Sequence, residues 1–128
     1  MNYFLIGGMY MDLRKCNRCG MLVKVIDGNS NIICCGEDMK KIVANTFDAA
    51  VEKHVPEYVV DGDMINVKVN HVMEENHYIE WISYVYDGKE ETVYFRPGEE
   101  VCATFKYVKG ATIYSYCNLH SLWSKVVE

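Results

Sequence analysis

The sequence has little positive charge. Its 13 lysines and arginines are outnumbered by 18 aspartates and glutamates, which gives a formal net charge of -5 at neutral pH. This shortage argues against nucleic acid or an anionic membrane surface as a partner, because both attract basic proteins. The same charge would repel an anionic substrate at long range, so chemistry on an anion would need a locally positive site.

The sequence also lacks the marks of export and membrane insertion. The apolar start, residues 1–11, carries no basic region and no small-residue cleavage motif, and it is too short to span a bilayer. We interpret it as an N-terminal extension without a signal peptide, and we expect a cytoplasmic protein with no membrane partner. In a reducing compartment, the six cysteines are expected to bind metal rather than to form disulfides.

Helical periodicity is missing after Pro56, where the chain reads as strand after strand. Ile65, Val67 and Val69 alternate with polar residues, the pattern of a half-buried strand, and Asp87-Gly88 predicts a hairpin turn. Half of the residues are hydrophobic and ten are tyrosines, which favours a folded, strand-rich protein. Several short strands at near-regular spacing predict a mainly β chain built around an antiparallel β-sandwich.

The chain divides into three predicted parts. After the extension, residues 12–40 form a small, glycine-punctuated domain with four of the six cysteines, and residues 41–128 contain a connector and the sandwich. Within the small domain, residues 22–26 read as a strand, 27–31 as a turn and 32–33 as a return strand. A domain this small cannot bury enough apolar surface to fold alone, so its cysteines must supply stability through metal or disulfide.

The first group of candidate ligands is a set of four cysteines. Cys16 and Cys19 form a Cys-x-x-Cys motif, and the adjacent pair Cys34-Cys35 follows after fourteen intervening residues. Four thiolates suit a tetrahedral iron or zinc site. Adjacent cysteines are unusual in zinc motifs and require a contorted backbone, but spacing alone does not choose between iron and a purely structural zinc.

The second group contains every histidine of the chain. His54 ends the connector, His71 and His77 flank a loop between two predicted strands, and Cys117-x-x-His120 follows the last predicted strand. Loops at one end of a sandwich can bring such positions together on a rigid scaffold. Imidazoles with one thiolate suit iron or copper better than calcium or magnesium.

These motifs together resemble desulfoferrodoxin, the two-iron form of superoxide reductase, from about Asp12 to Trp123. The matching segments are Cys16-x-x-Cys19-Gly, Cys34-Cys35-Gly, Asn45-Thr-Phe-Asp-Ala-Ala, Glu52-Lys53-His54-Val55-Pro56, His71-Val-Met, Asn76-His77-Tyr78-Ile79-x-Trp81-Ile82, and Cys117-Asn118-Leu119-His120-x-Leu122-Trp123. The departures are the longer N-terminus and Cys102, and neither touches a motif. Strand parity places Cys102 away from the core, where we expect a thiol without a ligand role.

The resemblance implies a desulforedoxin-like domain followed by an immunoglobulin-like sandwich, with two iron ions per chain. It also implies a homodimer that reduces superoxide to hydrogen peroxide with electrons from a rubredoxin-like donor. Glu52 and Lys53 match a mobile pair beside the open position of the catalytic iron. By position, one iron would be held by Cys16, Cys19, Cys34 and Cys35, and the catalytic iron by His54, His71, His77 and His120 with Cys117 as axial ligand.

Charge counting supports this division of labour. Four neutral imidazoles and one thiolate leave the iron with a formal charge of about +1 when ferrous and about +2 when ferric. Four thiolates leave the other centre negative in both states. An anion is therefore drawn to the histidine-rich centre, whereas the cysteine centre would store or pass electrons.

Two rival interpretations remain open from the sequence. A non-catalytic electron carrier could use a Cys-x-x-His copper site, although such sites need only two histidines and often an axial methionine, and no methionine follows His120. A non-catalytic module could hold zinc in the cysteine cluster and carry unrelated surface histidines. Metal analysis separates these cases, because they predict two irons, one copper or one zinc per chain.

Overall fold

The computed structural model describes residues 11–128, and they form two compact units, Met11–Val43 and Ala44–Glu128. The predicted N-terminal extension lies outside the described residues except for Met11. The first unit contains β1 (Leu13–Lys15), β2 (Leu22–Lys24), β3 (Ile33–Cys34), β4 (Glu37–Asp38) and β5 (Lys40–Ile42). The second contains a 3-10 turn (Val51–Lys53), β6 (Glu57–Asp61), β7 (Met64–Lys68), β8 (Ile79–Tyr86), β9 (Lys89–Tyr94), β10 (Cys102–Lys106), β11 (Thr112–Cys117) and β12 (Ser121–Val126).

The first unit is built from very short antiparallel strands. β1 lies between β2 and β5, and β3 pairs with β4 in a separate hairpin. The predicted hairpin across residues 27–31 is therefore wrong, because β2 pairs with β1 and residue 33 pairs with Asp38. The buried hydrophobic residues of the first unit are Met11, Leu13, Cys16 and Met39. They form a very small core for an independent fold.

The second unit is a sandwich of two antiparallel sheets. The three-stranded sheet has the order β10-β7-β6, and the four-stranded sheet has the order β12-β11-β8-β9. Side chains from both sheets meet in one core, where the rings of Tyr84 on β8 and Phe105 on β10 stack at 4.6 Å. The prediction of a mainly β chain with antiparallel sheets is confirmed.

In the three-stranded sheet, the alternation of hydrophobic and polar residues predicts which side chains are buried. Ile65 and Val67 of β7 are buried while their neighbours in the strand are exposed, as the alternation predicts. Cys102 is exposed on β10, opposite in parity to the buried Phe105. No helix within residues 11–128 is long and apolar enough to cross a membrane.

Candidate metal centres

The sulfur atoms of Cys16, Cys19, Cys34 and Cys35 all lie within 4.8 Å of one another. Cys16 follows β1, and its sulfur accepts hydrogen bonds from the backbone N–H groups of Arg18 and Cys19, both at 3.4 Å. The Gly20 N–H donates to the Cys16 carbonyl at 2.9 Å and closes the turn. Cys16 is buried and Cys19 exposed, so the turn presents one sulfur to the inside and one to the outside of the site.

The adjacent pair reaches the same point through an unusual backbone. Cys35 has φ 53° and Gly36 has φ 77°, both left-handed conformations in the turn between β3 and β4. This turn brings the Cys34 sulfur to 3.6 Å from that of Cys19 and 3.9 Å from that of Cys35. The sequence predicted a contorted backbone at this pair, and the structure shows the form that it takes.

The thiols of this cluster need a cation. Backbone N–H groups, that of Cys19 first, lower the pKa of Cys16 to about 6, whereas sharing a proton with the Cys19 and Cys16 sulfurs raises the pKa of Cys34 to about 12. Four thiolates this close together repel one another unless a metal neutralises them. An all-sulfur donor set with open access on two of its cysteines fits one iron ion.

The second cluster lies entirely within the sandwich unit. His54 follows the 3-10 turn, His71 and His77 lie between β7 and β8, Cys117 is the last residue of β11, and His120 lies in the turn before β12. Their nitrogen and sulfur ligand atoms all lie within 4.8 Å of one another. Cys117 and His54 are buried, and the other three histidines are half-buried, so the cluster sits at the edge of the core.

The four imidazole rings form a closed ring of edge-to-face contacts. Neighbouring centroids are 4.8 Å apart for His54 and His71, and 4.6 Å apart for His71 and His77. The circle closes through His120, whose centroid is 4.9 Å from those of both His77 and His54. Four nitrogens around a common centre with one sulfur beside them make a five-ligand set that fits an iron ion.

Backbone carbonyls decide which nitrogen faces the centre. The Nδ1–H of His54 donates to the Ala50 carbonyl at 2.6 Å, and that of His71 donates to the Val72 carbonyl. Their Nε2 atoms therefore point inward, where that of His54 lies 2.9 Å from Nδ1 of His120 and that of His71 lies 3.4 Å from the Cys117 sulfur. Such second contacts are typical of metal-binding histidines.

His77 gives the clearest sign of a missing partner. Its Nε2 atom is buried and finds no hydrogen-bond partner in the part of the chain that the structure describes. A buried polar atom without a partner is costly, and native proteins rarely keep one without a reason. A metal ion at the centre of the cluster would supply that partner.

The surroundings favour the uncharged form of two of the imidazoles, those of His71 and His120. Burial, with a smaller contribution from the neighbouring histidines, lowers the pKa of His71 to about 4. Burial and the same neighbours lower the pKa of His120. Neutral imidazoles are the form that binds metal, so these two histidines are ready to act as ligands at neutral pH.

Glu52 and Lys53 lie next to the cluster in sequence but not in contact with it. Both are exposed on the 3-10 turn before His54, and neither side chain makes a hydrogen bond or ion pair with any residue from 11 to 128. Glu52 lines a surface hollow together with Lys125 and Glu128. Their predicted roles beside the iron stay predictions.

The sequence predicted the candidate ligands of the histidine cluster but not the residues that contact and support them. The Ser115 hydroxyl donates to the His54 carbonyl at 2.7 Å from a buried position on β11. Trp123 stacks on His54, and the ring of Phe47 contacts His120. Only a knowledge of strand register could have placed these side chains, although Phe47 and Trp123 lie within the quoted motifs.

Comparison with known proteins agrees with this architecture. The desulfoferrodoxin family matches residues 46–126, and the desulfoferrodoxin N-terminal domain matches residues 9–42. The chain is 41% identical to the desulfoferrodoxin of Syntrophotalea carbinolica over 119 residues, covering 89% of this chain and 94% of the relative. It is 41% identical to that of Nitratidesulfovibrio vulgaris over 118 residues, covering 88% and 93%.

A solved structure extends the likeness to three dimensions. The crystal structure of the superoxide reductase from Treponema pallidum superposes with a TM-score of 0.68 at 26% identity, covering 91% of this chain and 98% of the other. The family, the fold and the two ligand clusters therefore agree with one another. The chain belongs to the desulfoferrodoxin family, and its two clusters fit the two iron sites of that family.

Proposed function

We propose that this protein is a superoxide reductase, which reduces superoxide by one electron to hydrogen peroxide at the iron site formed by the four histidines and Cys117. The observation that carries the proposal is the convergence of all four imidazoles and one thiolate at a single point. Relatives support it, since proteins named superoxide reductase from Pyrococcus horikoshii and Treponema pallidum resemble this chain in sequence and structure.

The donor set explains how an acidic protein can attract an anion. When bound, the iron supplies the electron and an open position for the substrate. Burial lowers the pKa of two of the imidazoles, those of His71 and His120, and four neutral imidazoles with one thiolate would leave the centre with a net positive charge. The balanced reaction takes one superoxide, one electron and two protons to one hydrogen peroxide, so the site must also supply protons.

Glu52 and Lys53, the two exposed residues before His54, are placed to assist substrate binding and proton delivery. Lys53 would add positive charge near the entrance, steer superoxide towards the cluster and order a proton-donating water. Glu52 would occupy the open position in the resting oxidised state and move away after reduction. Because neither side chain has a fixed partner among the described residues, both are free to move between solvent and the cluster.

The remaining partners are proposed on the same basis. The cysteine cluster, negative when loaded, would store or pass electrons delivered by a rubredoxin-like donor. The absence of disulfide bonds among the six cysteines, all of which lie in the described residues, suits a reducing compartment such as the cytoplasm. We also propose a homodimer, as the resemblance implies. The copper electron carrier is disfavoured, because it needs two histidines whereas four converge here.

The direct test is an anaerobic assay of the reduced, iron-loaded protein with superoxide. A superoxide reductase yields hydrogen peroxide without oxygen and oxidises one iron per turnover. Oxygen evolution would identify a dismutase, and unchanged iron oxidation state with no consumption of superoxide would identify an electron carrier.

The role of Lys53 is tested by Lys53→Met. We expect the second-order rate with superoxide to fall by about tenfold at low ionic strength, with a flatter dependence on salt, while the iron spectrum stays nearly unchanged. Lys106→Met is the matched control, because this exposed lysine pairs with Met64 at the end of β7 away from His71. Equal rates for Lys53→Met and the control would remove Lys53 from the mechanism.

A further inference from the structure

Asn118 lies between two ligands, Cys117 and His120, and its side chain reaches the loop of a third. Its Oδ1 accepts a hydrogen bond from the Tyr78 N–H at 2.9 Å, and its Nδ2 donates to the Asn76 carbonyl at 3.0 Å. These two backbone groups belong to the residues immediately before and after His77. One side-chain amide thus connects the β11–β12 turn to both sides of a ligand on another loop.

The loop that carries His77 is attached to the sandwich in its first half, where the Val69 N–H donates to the Val101 carbonyl at 3.1 Å and the Gly98 N–H donates to the Met73 carbonyl at 2.7 Å. Residues 69–78 lie between β7 and β8, and Glu74 and His77 form an isolated bridge, with N–H to carbonyl distances of 2.9 and 3.1 Å. That bridge is internal to the loop, so it shapes the turn without fixing it relative to the other ligands. The Asn118 amide supplies the connection that the bridge does not.

Both ends of the Asn118 amide are used, which makes the residue type specific. An aspartate keeps the acceptor for Tyr78 but loses the donor to Asn76 and sets an oxygen against a carbonyl oxygen. An alanine loses both bonds. In either variant the backbone N–H of Asn118 still donates to the Tyr78 carbonyl, at 3.2 Å in the native chain, so the start of β8 stays attached.

We propose that Asn118 is a positioning residue that fixes His77 relative to Cys117 and so completes the five-ligand set. This inference rests on the proposed iron site, and it adds a residue that touches neither the metal nor the substrate. The buried Nε2 of His77 has no hydrogen-bond partner among residues 11–128, so no hydrogen bond of that atom fixes the ring, and its placement depends on the loop backbone and on edge-to-face contacts with His71 and His120. Asn118 is the side chain that connects both neighbours of His77 to the turn that carries Cys117 and His120.

The test is a chelator challenge of full-length, iron-loaded protein, followed through the visible spectra of both centres. For Asn118→Ala we expect the histidine-site iron to be released at least about tenfold faster than in wild type, as for other residues that orient metal ligands. The rate of iron release from Asn118→Asp should lie between those of wild type and Asn118→Ala. Release from the cysteine centre should be unchanged, and the thiolate-to-iron absorption of the histidine site should shift in both variants.

Asn66→Asp is the matched control, because Asn66 is an exposed amide that accepts a hydrogen bond from Thr104 on the three-stranded sheet. It should match wild type in spectrum and release rate. A purely structural role for Asn118 would lower the thermal midpoint of the sandwich without shifting the spectrum, and that result would overturn the proposal. If Asn118→Ala fails to fold, the iron release and spectrum of Asn118→Asp test the proposal alone. Wild-type protein without iron at the histidine site would instead refute the proposed function.

Discussion

Trp123 shows how a side chain that offers no ligand atom can hold two residues that do. Its indole stacks on the His54 ring with centroids 4.9 Å apart, and its N–H donates to the His120 carbonyl at 2.9 Å. The side chain is almost fully buried. It therefore supports one ligand through its ring face and another through a hydrogen bond.

Substitution separates these two contacts. Trp123→Phe keeps an aromatic ring against His54 but removes the hydrogen bond, and we expect a loss of about 1 kcal/mol in unfolding free energy with a shifted iron spectrum. The matched control is Trp81→Phe, which removes a buried indole that stacks on Tyr116 and not on a histidine. Denaturant unfolding and visible spectroscopy check both variants. A spectrum unchanged by Trp123→Phe would show that the indole only fills space.

At this scale the sequence predicts which residues form the two clusters better than it predicts how their rings are oriented. All nine predicted cysteine and histidine ligands fall into the two observed clusters. The choice of nitrogen could not be read from residue types, because it depends on which backbone carbonyl each Nδ1 meets. The carbonyls of Ala50 and Val72 turn two rings one way, whereas His120 presents Nδ1 instead.

At the scale of elements, periodicity predicts strands well where one face is open. β7 and the turn at Asp87-Gly88 between β8 and β9 follow the predicted pattern. β11 does not alternate, because all six of its residues are buried and both faces are covered. In the cysteine unit, the strands are too short to choose partners by pattern, and β2 pairs with β1 instead of folding back on residues 32–33.

Strand length also predicts how the two units respond to metal removal. The strands of Met11–Val43 have two or three residues, whereas those of the sandwich have five to eight and share a large core. After chelation under reducing conditions, we expect residues 11–43 to lose amide protection and most of the sandwich to keep it. Hydrogen exchange resolved by peptide measures this. Persistent protection of residues 11–43 in metal-free protein would contradict the expectation.

For the whole molecule, charge sets the problem that the histidine site solves. A chain of net charge -5 repels an anion at long range, yet superoxide must reach the iron. Four neutral imidazoles and one thiolate would keep an iron centre positive, and we propose that the exposed Lys53 adds to that charge. Four thiolates would instead leave the cysteine centre negative, and we propose different tasks for the two irons on that basis.

The proposed function depends on five side chains holding one iron, and iron-edge X-ray absorption tests that most directly. The sample is the variant Cys16→Ser with Cys19→Ser, which removes the cysteine centre and leaves only the histidine site to hold iron. We predict one iron per chain surrounded by four imidazole nitrogens and one sulfur. An iron shell without sulfur, or with fewer imidazoles than the chain has histidines, would contradict it.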